Sequence, residues 1–209
     1  MSVREIGLFP LPAVLVPGEL MPLHIFEDRY RRLIRDCEEH GQEFAILYAD
    51  DDGARELGCT AALVEVTERF DDGRMNVIVR GAEVIRVVEL TRGRAYITAQ
   101  VEPAPDDEEA GDEAAVALEL YLRVAEATEH EPDPAIRERE HELVSYAITA
   151  RVEFPAAEKH RILEQRTERG RLLVIIELLQ RALENLAAAA EIAERAHTNG
   201  KVSPPSGGK

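Results

Sequence analysis

The chain has 209 residues and a formal net charge of −16, and hydrophobic residues make up 45% of it. This length can bury a sizeable core, as one domain or as two small ones. A surface this acidic repels nucleic-acid backbones and anionic lipid headgroups, so we expect no nucleic-acid partner and no membrane partner. The first residues lack the pattern of a signal peptide, and no apolar run has the length of a transmembrane helix. We therefore expect a cytoplasmic protein.

The segment from Leu8 to Cys37 is the most distinctive part of the chain. Its apolar first half is interrupted by four prolines: Pro10, Pro12, Pro17 and Pro22. Prolines this dense predict short, kinked strands and no helix. From Phe26 to Cys37 the apolar residues follow helical spacing, which predicts an amphipathic helix. Glu27 and Asp28 lie in its expected first turn, and Gly41 lies just beyond its expected end.

Short strand patterns continue to about Pro103. The predicted strands cover residues 44–48, 58–70, 74–80, 82–90 and 96–101. Gly73 is expected to supply the positive φ of a hairpin turn, Gly81 is expected to break a strand, and Arg92-Gly93 is expected to turn the chain. Many short strands with regular turns indicate a small barrel or sandwich.

The second half of the chain has helical periodicity. Residues 104–113 are acidic and follow Pro103, which predicts a solvated linker. Residues 114–196 are expected to form a helical subdomain, with helices from 114, over 135–152, over 155–165 and from Thr167 to about Ala196. The stripe of the first of these helices is expected to be Ala115, Leu118, Leu122 and Ala125. We expect residues 197–209 to be a disordered tail, and the long last helix allows a homodimer.

The sequence contains no complete motif of a familiar catalytic site. No phosphate-binding loop occurs, and the start of a zinc-protease motif at His141-Glu142 has Ser145 where the second histidine belongs. Cys37 and Cys59 form no metal or redox motif, and Cys37 is expected to be a buried apolar residue. We therefore expect no enzyme activity, no metal and no cofactor.

The run Leu8 to Leu11, followed by Val14 to Gly18, Pro22 to Glu27 and Arg29-Tyr30, closely resembles the N-terminal substrate-binding domain of Lon ATP-dependent proteases. The similarity extends from residue 6 to about 186 and is looser in the helical half. There the family usually has Glu-Arg-Leu, whereas Gly170-Arg171 separates Arg169 from Leu172 in this chain. Neither the ATPase nor the Ser-Lys protease of Lon has a counterpart in the sequence.

The resemblance implies an α+β fold. Residues 1–103 would form a PUA-like β pseudo-barrel with one inserted helix, and an all-α helical subdomain ending in a long helix would follow. Within this fold we expect one group of residues to shape the structure: Pro10, Pro17, Gly18, Pro22, Phe26, Gly73 and Gly81. Leu23, Ile25 and Phe26 are expected to fill the barrel core.

His24, Glu27, Arg29 and Tyr30 could line a groove that contacts an extended peptide, or they could only hold the fold together. We predict a non-catalytic module that binds unfolded or extended polypeptide, as an adaptor in protein quality control that works with an ATP-dependent protease. The alternatives are a PUA-like nucleic-acid binder, which the net charge opposes, and a small-molecule-binding protein with a pocket between the subdomains.

Overall fold

The computed structural model describes residues 3–91, 94–105, 112–132, 136 and 143–199. The first part of the chain contains, in order, β1 (Arg4–Leu11), β2 (Leu20–Ile25), α1 (Asp28–His40), β3 (Phe44–Asp50), β4 (Gly53–Arg69), β5 (Met75–Thr91) and β6 (Thr98–Pro103). The second part contains α2 (Glu113–Ala127), α3 (Val144–Thr149), α4 (Ala156–Leu163) and α5 (Glu168–Asn199). The predicted α+β class is confirmed.

The sheet closes on itself because β6 has two partners. The strand order is β2-β5-β4-β3-β1-β6, and β6 also pairs with β5. β1 and β3 are parallel, so the chain needs a long crossover between them, which β2 and α1 provide. β2 pairs with the first half of β5 alone and forms an edge strand. α1 packs its buried side chains Tyr30, Leu33, Ile34 and Cys37 into the barrel core.

β5 runs through Gly81 without a break, so the predicted strand end at this residue is wrong. A Cβ added to Gly81 would lie 2.0 Å from the carbonyl oxygen of Val16. The Gly81 N–H donates to the carbonyl of Glu19, and its own carbonyl accepts from the N–H of Gly18, both at 2.9 Å. Gly81 is therefore the point at which the loop between β1 and β2 lies directly against β5.

α1 begins two residues later than the apolar spacing predicts. Glu27 is its N-cap residue, and Gly41 ends it in the left-handed conformation with φ 62°, where a C-terminal glycine was expected. Phe26 is 60% exposed, so the prediction that it fills the barrel core is wrong. Because side chains alternate along β2 and Ile25 points inward, the next side chain points to solvent.

The predicted strand over 96–101 begins at Thr98, and Tyr96 lies in the bend before it. The predicted turn at Arg92-Gly93 lies outside the described residues. Between β4 and β5, the N–H of Gly73 donates to the carbonyl of Phe70 at 2.9 Å, and Gly73 has φ 85°.

The helices of the second part surround their own apolar core. α2 faces it with Ala117, Leu120, Tyr121 and Ala125. Of the predicted stripe, Ala125 is buried and Leu118 and Leu122 pack against this core, whereas Ala115 is exposed and its predicted place on the buried face is wrong. Of the helix predicted over 135–152, the structure describes residue 136 and residues 143–152, and within these α3 ends at Thr149. Residues 106–111 of the predicted linker lie outside the described residues.

α5 is 32 residues long and reaches Asn199, so it includes the first three residues of the predicted disordered tail. Residues 200–209 lie outside the described residues. The hydroxyl of Thr167 accepts a hydrogen bond from the N–H of Gly170 at 2.9 Å, which is the bond of an N-cap. The predicted capping role of Thr167 is confirmed.

A buried polar network joins α3 to the start of α5. The Glu168 carboxylate accepts from the Ser145 N–H at 2.9 Å and from the Ser145 hydroxyl, and it pairs with the Arg171 guanidinium at 2.9 Å. The guanidinium also lies 4.3 Å from the ring centroid of Tyr146. Arg171 and Leu172 are fully buried.

The two parts meet across a small apolar cluster. Val14 and Val16, from the loop between β1 and β2, pack with Tyr146 of α3 and Leu163 of α4. Beside this cluster, Lys159 Nζ lies 2.5 Å from a carboxylate oxygen of Glu19, whose backbone also accepts from Gly81. The same loop therefore contacts both the barrel and the helices.

Gly81→Ala should destabilise the protein by about 3 kcal/mol, because the new methyl group must displace the Val16 carbonyl. Urea unfolding followed by circular dichroism measures this loss. Ala82→Ser is the control, because Ala82 is the exposed neighbour in the same strand and should change the free energy of unfolding by less than about 0.5 kcal/mol. Equal stability of Gly81→Ala and the wild type would contradict the close contact.

Glu168→Gln should cost about 3 kcal/mol, because it removes the buried negative charge that pairs with the Arg171 cation. The double variant Glu168→Gln with Arg171→Met should recover part of this loss, because no buried charge remains. Arg169→Met is the matched control: the Arg169 side chain is 63% exposed, so its removal should cost under about 1 kcal/mol. A larger loss in this control than in Glu168→Gln would refute the burial argument.

Candidate functional site

The outer face of β2 presents a row of side chains to solvent. Alternation along the strand places Leu20, Pro22 and His24 on this face, while the intervening residues point to the core. Phe26 follows the strand directly, and Phe70 lies at the nearby turn after β4. We call the surface formed by Leu20, Pro22, His24, Phe26 and Phe70 the β2 face. Leu20 is 54% exposed and Phe26 is 60% exposed.

The aromatic residues of the β2 face are held together around His24. Its ring centroid lies 6.0 Å from Phe26 in a stacked arrangement and 6.0 Å from Phe70 in an edge-on arrangement. His24 Nδ1 and Asn76 Oδ1 are 2.7 Å apart, and the Arg74 guanidinium lies 5.3 Å from the ring centroid of Phe70. This ordering lowers the entropy that Phe26 would lose on contacting a partner.

The other three residues predicted at the binding groove have different surroundings. Arg29 and Glu27 form a half-exposed ion pair at 2.8 Å. Tyr30 is only 6% exposed, and its ring centroid lies 4.0 Å from that of Phe9 in the core. Burial is the largest cause that raises the pKa of Tyr30, and the nearby Arg29 partly opposes it. The structure therefore brings His24, Glu27 and Arg29 to the surface and turns Tyr30 inward.

A groove of about 330 Å³ at one end of the barrel was not anticipated from the sequence. Three of its lining residues are large apolar side chains with high exposure: Val88 at 55%, Leu90 at 64% and Ile97 at 40%. We call it the end groove. The consecutive residues Val87 and Val88 break strand alternation, and this is the signal by which the sequence could have indicated an irregular strand here.

A second groove, of about 410 Å³, has a polar lining beside α1. The Tyr96 hydroxyl donates to an Asp36 carboxylate oxygen at 2.6 Å and accepts from Arg94 at 2.9 Å. Burial, and then the hydrogen bond to Asp36, raise the pKa of Tyr96. Because these groups bond to one another, the groove connects α1 to the segment before β6 and leaves few of their donors for a ligand.

The cleft between the barrel and the helices is small, at about 120 Å³, and residues such as Arg86, Pro105 and Tyr146 line it. Pockets for small molecules usually measure roughly 300–1,000 Å³. Among the described residues, no group of three or more His, Cys, Asp and Glu side chains is arranged to hold a metal ion. His141 and Glu142, the start of the interrupted zinc motif, lie outside them. None of the described helices combines the length and the apolarity needed to cross a bilayer.

A closed β-barrel with one inserted helix, joined to a helical bundle, defines the class of α+β domain to which this fold belongs. A sequence profile described as the ATP-dependent protease La (LON) substrate-binding domain matches residues 5–181. The chain belongs to this family, and the resemblance seen in the sequence is confirmed. The match covers the substrate-binding domain, without the ATPase and protease domains.

The curated proteins to which the chain is similar include two Lon proteases. Lon protease 2 of Myxococcus xanthus is 27% identical over 197 residues, which cover 86% of this chain and 24% of that protein. Lon protease of Anaeromyxobacter dehalogenans strain 2CP-C is 26% identical over 197 residues, which cover 86% of this chain and 23% of that protein. The chain thus spans about a quarter of the length of these relatives.

Two solved structures have the same fold. The Lon N-terminal domain protein from Xanthomonas campestris superposes with a TM-score of 0.62 at 23% identity, over 83% of this chain and 98% of that one. The N-terminal domain of Mycobacterium avium complex Lon protease superposes with a TM-score of 0.64 at 19% identity, over 85% of this chain and 98% of that one. At these identities the likeness concerns the fold alone.

The thiol of Cys37 is buried, and Cys37 also lines the polar groove. We expect this burial to make the protein less stable at alkaline pH. Burial, the largest cause, and the nearby Asp36 raise the pKa of the thiol from 9.0 to about 11. Above pH 9 the unfolded thiol therefore ionises while the folded one stays protonated, which favours unfolding. From pH 8 to pH 10.5 the wild type should lose about 2 kcal/mol more than Cys37→Ala does.

Urea titrations at both pH values measure this difference. Cys59 is also buried, and its pKa is also raised, so part of the alkaline loss should remain in Cys37→Ala. Parallel losses in the wild type and the variant would contradict the assignment to Cys37.

Proposed function

We propose that this chain is a non-catalytic module that binds unfolded or extended polypeptide through the β2 face. The observation that carries the proposal is that Phe26, 60% exposed, and Leu20, 54% exposed, lie at the two ends of one face of β2 in a domain of the Lon substrate-binding family. Large apolar residues grouped on one surface commonly mark a site for a macromolecular partner. An unfolded segment offers the complementary apolar side chains.

The chemistry of the β2 face favours contact through side chains. β2 is an edge strand, but Pro22 lies in its middle and cannot donate a main-chain hydrogen bond. Proline at an edge also discourages the addition of another strand. Phe26 and Leu20 can instead bury apolar groups of a partner, and the rings of His24 and Phe70 flank such a contact.

The net negative charge of the chain also determines which unfolded segments it prefers to bind. The chain carries a net charge of −16, so neutral or basic segments should associate faster than acidic ones. Arg29 is already paired with Glu27 at 2.8 Å and contributes little attraction for an acidic partner. The preferred ligand is an unfolded segment that has apolar residues and few carboxylates.

We further propose that the module acts as an adaptor, which presents such segments to an ATP-dependent protease. The curated relatives are Lon proteases, and this chain corresponds to about a quarter of their length. A degradation assay tests the step: adding the purified chain should accelerate the cleavage of a bound client by an ATP-dependent protease from the same cell. No change in the cleavage rate would contradict the adaptor role and leave the binding role intact.

The binding role is tested with the double variant Leu20→Ser with Phe26→Ser. Fluorescence anisotropy with labelled, reduced and carboxamidomethylated lysozyme, a permanently unfolded basic protein, measures the affinity. The double variant should bind at least about tenfold more weakly, because two apolar contacts are lost. Leu173→Ser is the matched control, because Leu173 is 51% exposed on α5 and should keep the wild-type affinity.

Absence of binding by the wild type would refute the proposed function. Equal affinities of the double variant and the wild type would remove the β2 face as the site. Tight binding of a single-stranded RNA at low salt would favour the nucleic-acid alternative instead.

A further inference from the structure

The barrel wall has a gap at the end groove. β4 and β5 pair from Arg69 with Met75 up to Leu57 with Arg86, and their described ladder ends there. Both strands continue beyond this point: β4 extends back to Gly53 and β5 extends on to Thr91. The two strands therefore separate, and a weak ion pair between Glu56 and Arg86, at 3.8 Å, lies at the point where they part.

Two strand irregularities lie where the strands part. On β3, Leu47 pairs with Gly58 and Ala49 pairs with Ala54, so residues 55–57 of β4 stand opposite one residue. On β6, neighbouring residues pair with Val87 and Glu89 of β5, so Val88 is an extra residue. Bulges of this kind bend strands and increase their twist. One bulge lies in β4 and the other lies in β5, so both strands beside the gap are bent.

The separation leaves two strand edges open toward each other. Residues 53–56 of β4 lie next to β3 alone, and residues 87–91 of β5 pair with β6 alone. The main-chain donors and acceptors on the facing sides have no ladder partner in the described structure. An open edge of this kind is a template for another extended chain. Neither edge contains a proline, in contrast to β2.

The end groove lies between these edges and has an apolar floor. Leu8, Pro10 and Leu47 form the floor, and the exposed side chains of Val88 and Leu90 stand on the β5 side. Its volume of about 330 Å³ lies within the usual range for ligand sites, roughly 300–1,000 Å³. The groove thus offers apolar contacts beside unpaired main-chain groups.

We propose that this gap binds an extended polypeptide segment by strand addition to the open edge of β5 at residues 87–91. The segment has apolar residues at alternate positions, which lie on the groove floor, and a basic residue at one end. This inference rests on the proposed polypeptide-binding function and names a second site and a different mode of recognition, through main-chain hydrogen bonds.

The acidic rim of the end groove favours this peptide over a second copy of the chain as the occupant. Glu89 and Glu56, which has only a weak ion pair with Arg86 at 3.8 Å, lie at the rim of the groove, and the rim cation Arg55 is paired with Asp50 at 2.6 Å. Asp51 and Asp52 follow immediately in the turn between β3 and β4. A second copy would bring another net charge of −16 to this acidic rim, whereas a segment with a terminal Lys or Arg complements it.

The test uses the full chain and a short labelled peptide of alternating Val and Thr with a Lys at each end. Fluorescence anisotropy should show saturable binding to the wild type. Val88→Asn with Leu90→Asn should weaken it at least about tenfold, because the apolar contacts are lost. Leu20→Ser with Phe26→Ser, the β2-face variant, should bind the peptide with the wild-type affinity. Thermal unfolding verifies that both variants are folded.

Main-chain pairing is tested with two further peptides, each N-methylated at one of the two alternate sets of residues. Methylation removes N–H donors along one edge of the peptide and keeps every side chain. At least one of the two peptides should lose binding at least about tenfold. Wild-type affinity for both would overturn strand addition. The peptide with Glu in place of each Lys should also bind more weakly, and equal binding would overturn the assigned charge preference.

The outcomes separate the two proposals. If the wild type binds the unfolded protein but the Val88–Leu90 variant binds the peptide as the wild type does, the gap is not a site and the proposed function stands. If the wild type binds neither probe, both proposals fail. A dimer in sedimentation velocity that the Val88–Leu90 variant converts to monomer would assign the gap to a second copy and overturn the peptide proposal.

Discussion

The long strand β5 is the constraint on which the rest of this structure depends. It pairs with β4 along most of its length, with β2 through its first half and with β6 through its second half. The pairing with β6 closes the barrel, and β2 is left outside the closed ring. Because one strand must serve three partners, the places where one partner replaces another are the places where the barrel is irregular.

Gly81 lies at the main change of partner. Pairing with β2 ends at Arg80, and pairing with β6 begins at Ile85. Between these points the loop of residues 12–19 crosses β5, and the crossing requires a residue without a side chain because the Val16 carbonyl lies too close for a Cβ. The same loop supplies Glu19 to Lys159 and its valines to the helices. A single glycine thus couples barrel closure to the attachment of the helical part.

The sequence was informative where local chemistry decides the structure. The helical spacing of α1, the left-handed Gly41 that ends it and the Thr167 cap were all readable from neighbouring residues. Position in the fold was not readable. Phe26 fits the helical pattern of α1, yet the strand before it determines its direction. Gly81 has the appearance of a strand break, yet it serves a contact with a loop that lies more than sixty residues away in the chain.

For the candidate sites, too, the local sequence was informative and the position in the fold was not. His24, Glu27 and Arg29 reach the surface as expected for polar residues around a strand end, whereas Tyr30 lies in the first turn of α1 on the side that faces the core. The end groove was not predicted because it lies where two neighbouring strands, β4 and β5, stop pairing with each other. Such a gap depends on ladder registers, and a register is set by the whole sheet.

The two surfaces differ in how they can recognise a polypeptide. The β2 face has exposed rings on an edge that Pro22 protects from strand addition, so it discriminates by side chain. The end groove has unpaired main-chain groups beside an apolar floor, so it discriminates by extended conformation and by alternation. A folded protein pairs most of its strands and buries most of its large apolar residues, whereas an unfolded chain leaves both accessible. A segment that contacts both the β2 face and the end groove needs an extended conformation and exposed apolar residues at once. Because the binding free energies of two weak sites on one barrel add when one chain spans them, such a segment is bound much more tightly than one that reaches a single site. Two contacts therefore distinguish unfolded chains from folded ones more sharply than either contact alone.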